Sequence, residues 1–184
     1  MRNPLNAIIS NCYLLENQDQ IQEEVKSRLK IMRVSSNLLV SFVNDLMDWT
    51  MIKQNKFIKK EQNFNLKQMF IDVNEMMKFK ANIKDIYCEV EFDRNVPTMV
   101  YGDDSRLMQV IINLISNSLK FTFVGGVTIK VGFELEKSLL YVQIVDTGEG
   151  IDKKDHPNIF QLFGTNKSKK QKNLGGIGLG LCIC

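Results

Sequence analysis

No glycine and a single proline, Pro4, occur in the first sixty residues of this 184-residue chain. A stretch free of breakers folds as helix when its apolar residues carry helical spacing, and these do. Leu5, Ile8, Ile9, Cys12 and Leu15 share one face of a first helix. Asn17-Gln18-Asp19-Gln20 reads as a turn. Val25, Leu29, Met32, Ser36, Leu39, Val43 and Leu46 then recur at alternating spacings of four and three. That is a heptad seam, with Ser36 its one polar member. Ile31, Val34, Leu38 and Phe42 form a second stripe beside it. A helix apolar on two stripes needs partners on both, and two helices alone do not supply them. The spacing therefore predicts a helical hairpin that dimerises into a four-helix bundle. A hairpin packed on the rest of its own chain is the alternative.

The pattern changes after Lys53 to Gln62, a polar and basic stretch that reads as a helix end or linker. A boundary near residue 60 divides the chain into a hairpin, 1–60, and a second domain, 61–184. Residues 65–82 have Leu66, Met69, Phe70, Val73 and Met77 on one helical face. Tyr87 to Phe92 alternates as a strand does. Pro97 and Gly102 punctuate a turn, and Asp103 or Asp104 caps a helix running to about Lys120. Gly125-Gly126 opens a hairpin of strands, Val127 to Glu134 and Leu139 to Val145, turning near Glu136-Lys137-Ser138. Seven of the eleven glycines fall in the last forty residues. Helices mixed with strands and ending in a glycine-rich tail predict an α+β sandwich.

Several function classes are set aside by composition. Net charge is +3, from 24 basic and 21 acidic residues, too balanced to argue for nucleic acid or an anionic membrane. No apolar run approaches the roughly 18–20 residues of a membrane span, and Met1-Arg2-Asn3-Pro4 does not open a signal peptide. Cys12, Cys88, Cys182 and Cys184 are scattered, which suits free thiols in a reducing compartment rather than a disulfide framework or zinc site. The only histidine is His156, beside Pro157, in what reads as an exposed turn.

Three constellations carry chemistry. The first is Asp146-Thr147-Gly148-Glu149-Gly150-Ile151. An apolar strand delivers Asp146 at its end, where a half-buried carboxylate can accept a hydrogen bond from an exocyclic amino group. The glycines let a flat ring approach the backbone, which suits adenine. A plain strand-to-turn junction has the same composition. In the second, Asn113 and Asn117 lie four apart on one face of the helix ending near Lys120. Amide oxygens suit Mg²⁺ that already carries phosphate oxygens and water, and Lys120 brings a point charge for a phosphate. Two asparagines bonded to neighbouring backbone fit the same spacing. The third is Gly175-Gly176-Ile177-Gly178-Leu179-Gly180-Leu181, whose side-chain-free amides can cradle an anion. It matches neither a Walker A loop nor Gly-x-Gly-x-x-Gly, and it is too apolar for a flexible linker.

In order and spacing these segments resemble the sensor histidine kinases of two-component systems. Residues 113–122 resemble the N box, 146–151 the G1 box, Ile159-Phe160-Gln161-Leu162-Phe163 the F box and Gly175 to Leu181 the G2 box. Arg2-Asn3-Pro4-Leu5-Asn6-Ala7-Ile8 resembles the second half of the H box. The resemblance covers nearly the whole chain and is nearest in flavour to the hybrid kinases, which carry a receiver domain. It implies a dimerising hairpin followed by a Bergerat-type α/β sandwich with a mixed sheet. It implies an ATP site in which Asp146 bonds the adenine amino group. Asn113 and Asn117 would hold Mg²⁺ and phosphate, Lys120 would touch phosphate, and Phe121 would flank the nucleotide. Gly148, Gly150, Ile151, Phe160, Phe163, Gly176, Gly178, Leu179 and Gly180 would shape the pocket, and residues 164–174, with four lysines, would form its lid. Asn3 would orient water for dephosphorylating a partner; a helix-start residue before Pro4 is the plainer reading of it.

The resemblance also marks departures. The family's phosphoacceptor histidine sits four residues before the position of Asn3, which falls ahead of Met1, and His156 is no substitute. The glycine-rich box is followed by only three residues of its expected covering helix. The chain thus reads as stopping short at both ends. The expected activity is transfer of the ATP γ-phosphoryl to a histidine and onward to a receiver aspartate, in the cytoplasm and in a homodimer formed through residues 1–60. The expected partner is a receiver domain, with neither nucleic acid nor membrane contact. A dimerising, nucleotide-binding regulatory fragment without its own phosphoacceptor is the alternative.

Overall fold

The computed structural model describes residues 2–17, 21–161 and 180–184. The chain divides into two compact units, built mainly on Met1–Phe57 and Ile58–Cys182.

The first unit is a helical hairpin of α1 (Arg2–Glu16) and α2 (Glu23–Lys53). Glu23 and Glu24 in the first turn of α2 and Lys53 in its last complement the helix dipole. Cys12 and Leu29 are buried where the helices meet, and Arg33 Nε donates to Glu16 Oε2 at 2.8 Å across the hairpin. The tip of the expected turn, residues 18–20, lies outside the described residues. The heptad seam stays largely uncovered within one hairpin: Val25, Met32, Leu39 and Leu46 are each 42–52% exposed. Ile31, Val34 and Leu38 of the second stripe are exposed as well.

The second unit begins with β1 (Gln62–Asn65), α3 (Leu66–Asn82), β2 (Tyr87–Phe92) and β3 (Met99–Gly102). It continues with α4 (Asp104–Phe121), β4 (Gly126–Glu134) and β5 (Leu139–Asp146), then a short 3-10 turn, His156–Asn158, and α5 (Gly180–Ile183). The main sheet is mixed, in the order β2-β4-β5: β2 runs parallel to β4, and β4 antiparallel to β5. The α+β architecture expected from the sequence is therefore present, hairpin first and mixed sheet after it.

One stretch differs from the sequence reading. The segment around Pro97 and Gly102, read only as a turn, contains β3, which pairs antiparallel with β1, a strand that starts at the last residue of the stretch read as linker. Each is four residues long. Strands that short carry too little alternation to be read, and each exists because the other, distant in sequence, supplies its hydrogen bonds.

Both long helices of this unit start on side-chain caps. Asn65 accepts from Gln68 N–H at 3.0 Å at the head of α3, and Asp103 accepts from Arg106 N–H at 3.0 Å at the head of α4. Asp103 Oδ2 also accepts from the Lys60 backbone N–H at 2.7 Å. These backbone donors, Lys60 foremost, hold the Asp103 carboxyl below its ordinary pKa. The core gathers Leu66, Phe70, Val73 and Met77 of α3, Ile111, Ile115 and Leu119 of α4, and Val127, Ile129 and Val131 of β4. Phe70, fully buried, meets Phe92 of β2 edge to face at 6.2 Å between ring centroids. Truncating such a ring leaves a cavity that neighbours fill only in part, at a cost of about 3–5 kcal/mol. Phe70→Ala is expected to lower unfolding stability by that amount in urea titration; a loss under about 1 kcal/mol would contradict this account of the core.

Candidate functional site

Four chain segments converge at one end of the main sheet. Helix α4 ends there at Phe121, β4 begins at Gly126, β2 begins at Tyr87 and β5 ends at Asp146. Thr147 ties the convergence together. Its hydroxyl donates to Val124 O at 2.6 Å and accepts from Gly126 N–H at 3.0 Å. Its own N–H donates to Gly126 O at 3.1 Å. Gly125 sits in the left-handed region at φ +87°, and a Cβ there would stand 2.3 Å from the Thr147 hydroxyl. The loop from α4 to β4 is thus wound tightly onto the residue that follows Asp146.

Asp146 stands at the end of its strand, as the sequence places it, but exposed rather than half-buried. Its Oδ1 accepts from the Gly148 N–H at 3.0 Å, which fixes the plane of the carboxylate. Gly148 in turn is seated on the last turn of α4: a Cβ on it would lie 2.7 Å from the Phe121 carbonyl oxygen. Main chain cannot yield there as a flexible side chain could, so the close approach requires glycine. Through this seat the Asp146 turn and the end of α4 form one rigid corner.

Helix α4 supplies the other candidates. Asn113, Asn117 and Lys120, at intervals of four and three, lie on the side of α4 away from the buried Ile111, Ile115 and Leu119. Among the described residues the Asn113 Nδ2 is buried without a hydrogen-bond partner. Gly180, at the head of α5, stands beside it, with its Cβ direction 3.5 Å from the Asn113 amide carbon. Lys120 is half-buried, with Nζ 4.9 Å from the centre of the Phe121 ring. Burial pushes its pKa down.

Ile151 and Phe160 are exposed, and His156 is exposed in its short 3-10 turn, its Nε2 3.1 Å from Ile151 O. Asn3 is exposed in the first turn of α1 in the other unit. Phe163, Gly176, Gly178, Leu179 and the lid 164–174 lie outside the described residues. Thr147 is not among the residues expected from the sequence to form the site; a hydroxyl residue directly after a strand-end aspartate is the signal that marks it.

Residues 102–184 match the family of histidine kinase-, DNA gyrase B- and HSP90-like ATPases. In sequence and in fold the chain is similar to the catalytic cores of histidine kinases. The whole chain is 28% identical over 194 aligned residues to hybrid signal transduction histidine kinase K of Dictyostelium discoideum. It is 33% identical over 189 to the autoinducer 2 sensor kinase/phosphatase LuxQ of Vibrio vulnificus (strain CMCP6). The chain spans 16% and 22% of the lengths of those two proteins. It is similar to full-length ShkA, solved in complex with AMPPNP, at TM-score 0.76 and 28% identity, covering 99% of this chain and 37% of that one. It is also similar to the nucleotide-free catalytic domain of histidine kinase ThkA, at TM-score 0.55 and 27% identity over 67% of this chain and 77% of that one. No helix among the described residues is long and apolar enough to cross a membrane.

A lysine with a lowered folded-state pKa binds its proton less readily in the native than in the unfolded chain. Stability therefore rises with pH between the lowered value and the ordinary 10.5. Wild type is expected to gain on Lys120→Met in thermal melts across this alkaline window. A constant difference between the two would show that Lys120 is not desolvated.

Proposed function

We propose that this core binds ATP at the corner between Asp146 and α4 and serves transfer of the γ-phosphoryl group to a histidine, and from there to a receiver aspartate. The observation that supports this reading is the seat of Gly148 on Phe121, which brings the Asp146 turn against the end of the helix that bears Asn113 and Asn117. In this reading the Asp146 carboxylate, already oriented by the Gly148 N–H, accepts the adenine exocyclic N–H. The side chain of Phe121 flanks the base. Lys120 meets a phosphate, whose negative charge restores the proton affinity that burial lowers.

The unpartnered Asn113 amide fits a polar group that arrives with the nucleotide. Its donor suits a phosphate oxygen, and the oxygens of Asn113 and Asn117 suit Mg²⁺, which is held by few protein ligands beside phosphate and water. When bound, Mg²⁺ neutralises charge across the phosphate oxygens. The chain's own contribution is placement: adenine fixed at Asp146, phosphates fixed along α4, and the γ-phosphoryl directed outward to its acceptor. The glycines of 175–180 are assigned to the phosphates and residues 164–174 to a lid over them, both on the strength of the family resemblance.

Titration with Mg-ATP by calorimetry tests the site. Asp146→Asn replaces a charged acceptor by a neutral amide and is expected to weaken binding about tenfold to hundredfold. Equal binding by wild type and the variant would remove Asp146 from the adenine site, and no binding by wild type would remove the nucleotide reading.

The exposed heptad seam supports a homodimer through residues 1–60. Leu39→Glu places a charge on that seam, and sedimentation equilibrium is expected to show dimer for wild type and monomer for the variant. A wild-type monomer would overturn the dimer. Receiver docking and a cytoplasmic setting, where ATP is present, complete the proposal.

A further inference from the structure

The loop between α3 and β2 carries a lysine that reaches the end of α4. Lys84 Nζ donates to three backbone carbonyls, those of Leu119, Lys120 and Thr122. The first two belong to the last turn of α4, where carbonyls have no partner further along the helix, and the third follows directly. An ammonium has three donors, so all three are engaged and none remains for a ligand. Its positive charge also stands at the negative end of the helix dipole. The ammonium lies 4.9 Å from the centre of the Phe123 ring.

The backbone that carries Lys84 is itself tightly held. Lys84 N–H donates to Ala81 O at 2.9 Å, Asp85 N–H to Asn82 O at 3.1 Å and Ile86 N–H to Ala81 O at 3.2 Å. Asp85 adopts φ +57° to close this turn. Lys84 is therefore a fixed point gripping the end of α4. The carbonyls it grips bracket Phe121: two precede it and one follows it. Phe121 is the residue on whose carbonyl Gly148 sits, and Gly148 is the residue that orients the Asp146 carboxylate.

We propose that Lys84 is a positioning residue for the nucleotide site, acting through the main chain of 119–122 on Phe121, Gly148 and thereby Asp146. The proposal rests on the nucleotide reading of that corner. Lys84 touches no ligand: it sets where the corner stands when the ligand arrives. Arginine can still donate to clustered carbonyls and carry the charge. Methionine keeps much of the stem and loses both. Without the grip, the last turn of α4 frays, and the seat under Gly148 moves with it.

The test compares wild type, Lys84→Met, Lys84→Arg and a control, Ile129→Val, which removes one buried methyl group from β4 away from the corner. All are measured well below their melting temperatures. Lys84→Met is expected to bind Mg-ATP about fivefold to tenfold more weakly than wild type. Lys84→Arg recovers most of that loss, and Ile129→Val leaves affinity unchanged although it also lowers stability. In nucleotide-free protein, the amide signals of Phe121, Thr122 and Gly148 in a ¹H–¹⁵N spectrum shift in Lys84→Met and return toward wild type in Lys84→Arg. Full affinity in Lys84→Met, where wild type binds, overturns the positioning role and leaves the nucleotide site standing. Absence of binding by wild type overturns the nucleotide reading, and the unliganded spectra then decide the grip alone: unmoved Gly148 and Phe121 signals in Lys84→Met overturn it.

Discussion

Burial of Ile111, Ile115 and Leu119 in one core with Val127, Ile129 and Val131 fixes α4 on a single face of the main sheet. Apolar burial is strong but non-directional, so it sets which face of the helix turns inward and leaves its axial position to other interactions. The directional bonds lie at the two ends. At the head, Asp103 caps α4 and holds the Lys60 backbone beside it. At the tail, Lys84 collects the carbonyls that the helix leaves open. A helix clamped at both ends and buried along one stripe presents its opposite side at a defined height. That side bears Asn113, Asn117 and Lys120.

The corner at Phe121 depends on this placement. Only with α4 stopped where it is can Gly148 rest on the Phe121 carbonyl while Thr147 bonds to Val124 and Gly126. Among the described residues, the Asn113 amide nitrogen is buried without a hydrogen-bond partner. An orphaned donor costs free energy in an otherwise satisfied fold, and such groups concentrate where a ligand completes the structure.

Much of the fold was legible because the signal was local and periodic. The inward residues of α3, from Leu66 to Met77, repeat at helical spacing, and the strands from Val127 and Leu139 alternate between turn residues. The aspartate at the end of β5 was legible for the same reason: a strand can be followed to its last residue. The β1–β3 pair was not legible, since neither four-residue strand has a pattern of its own and their pairing joins residues about forty apart. Lys84 was equally hidden. It is one of many lysines in the chain, and nothing within its own segment distinguishes a lysine that reaches the end of another helix from one that reaches water.

The sequence by itself determined the fold class, helices followed by an α+β arrangement with a mixed sheet, the inward faces of the helices, and the short list of residues proposed to hold a nucleotide. Periodicity, glycine placement and motif order are properties of neighbouring residues, and they survive without coordinates. Tertiary structure alone decided that the turn after Asp146 sits on the end of α4, that Thr147 locks the loop beneath it, and that the Asn113 amide is left buried without a partner among the described residues. Those facts rest on hydrogen bonds and close contacts between segments far apart in the chain, and such contacts exist only once the core has brought the segments together.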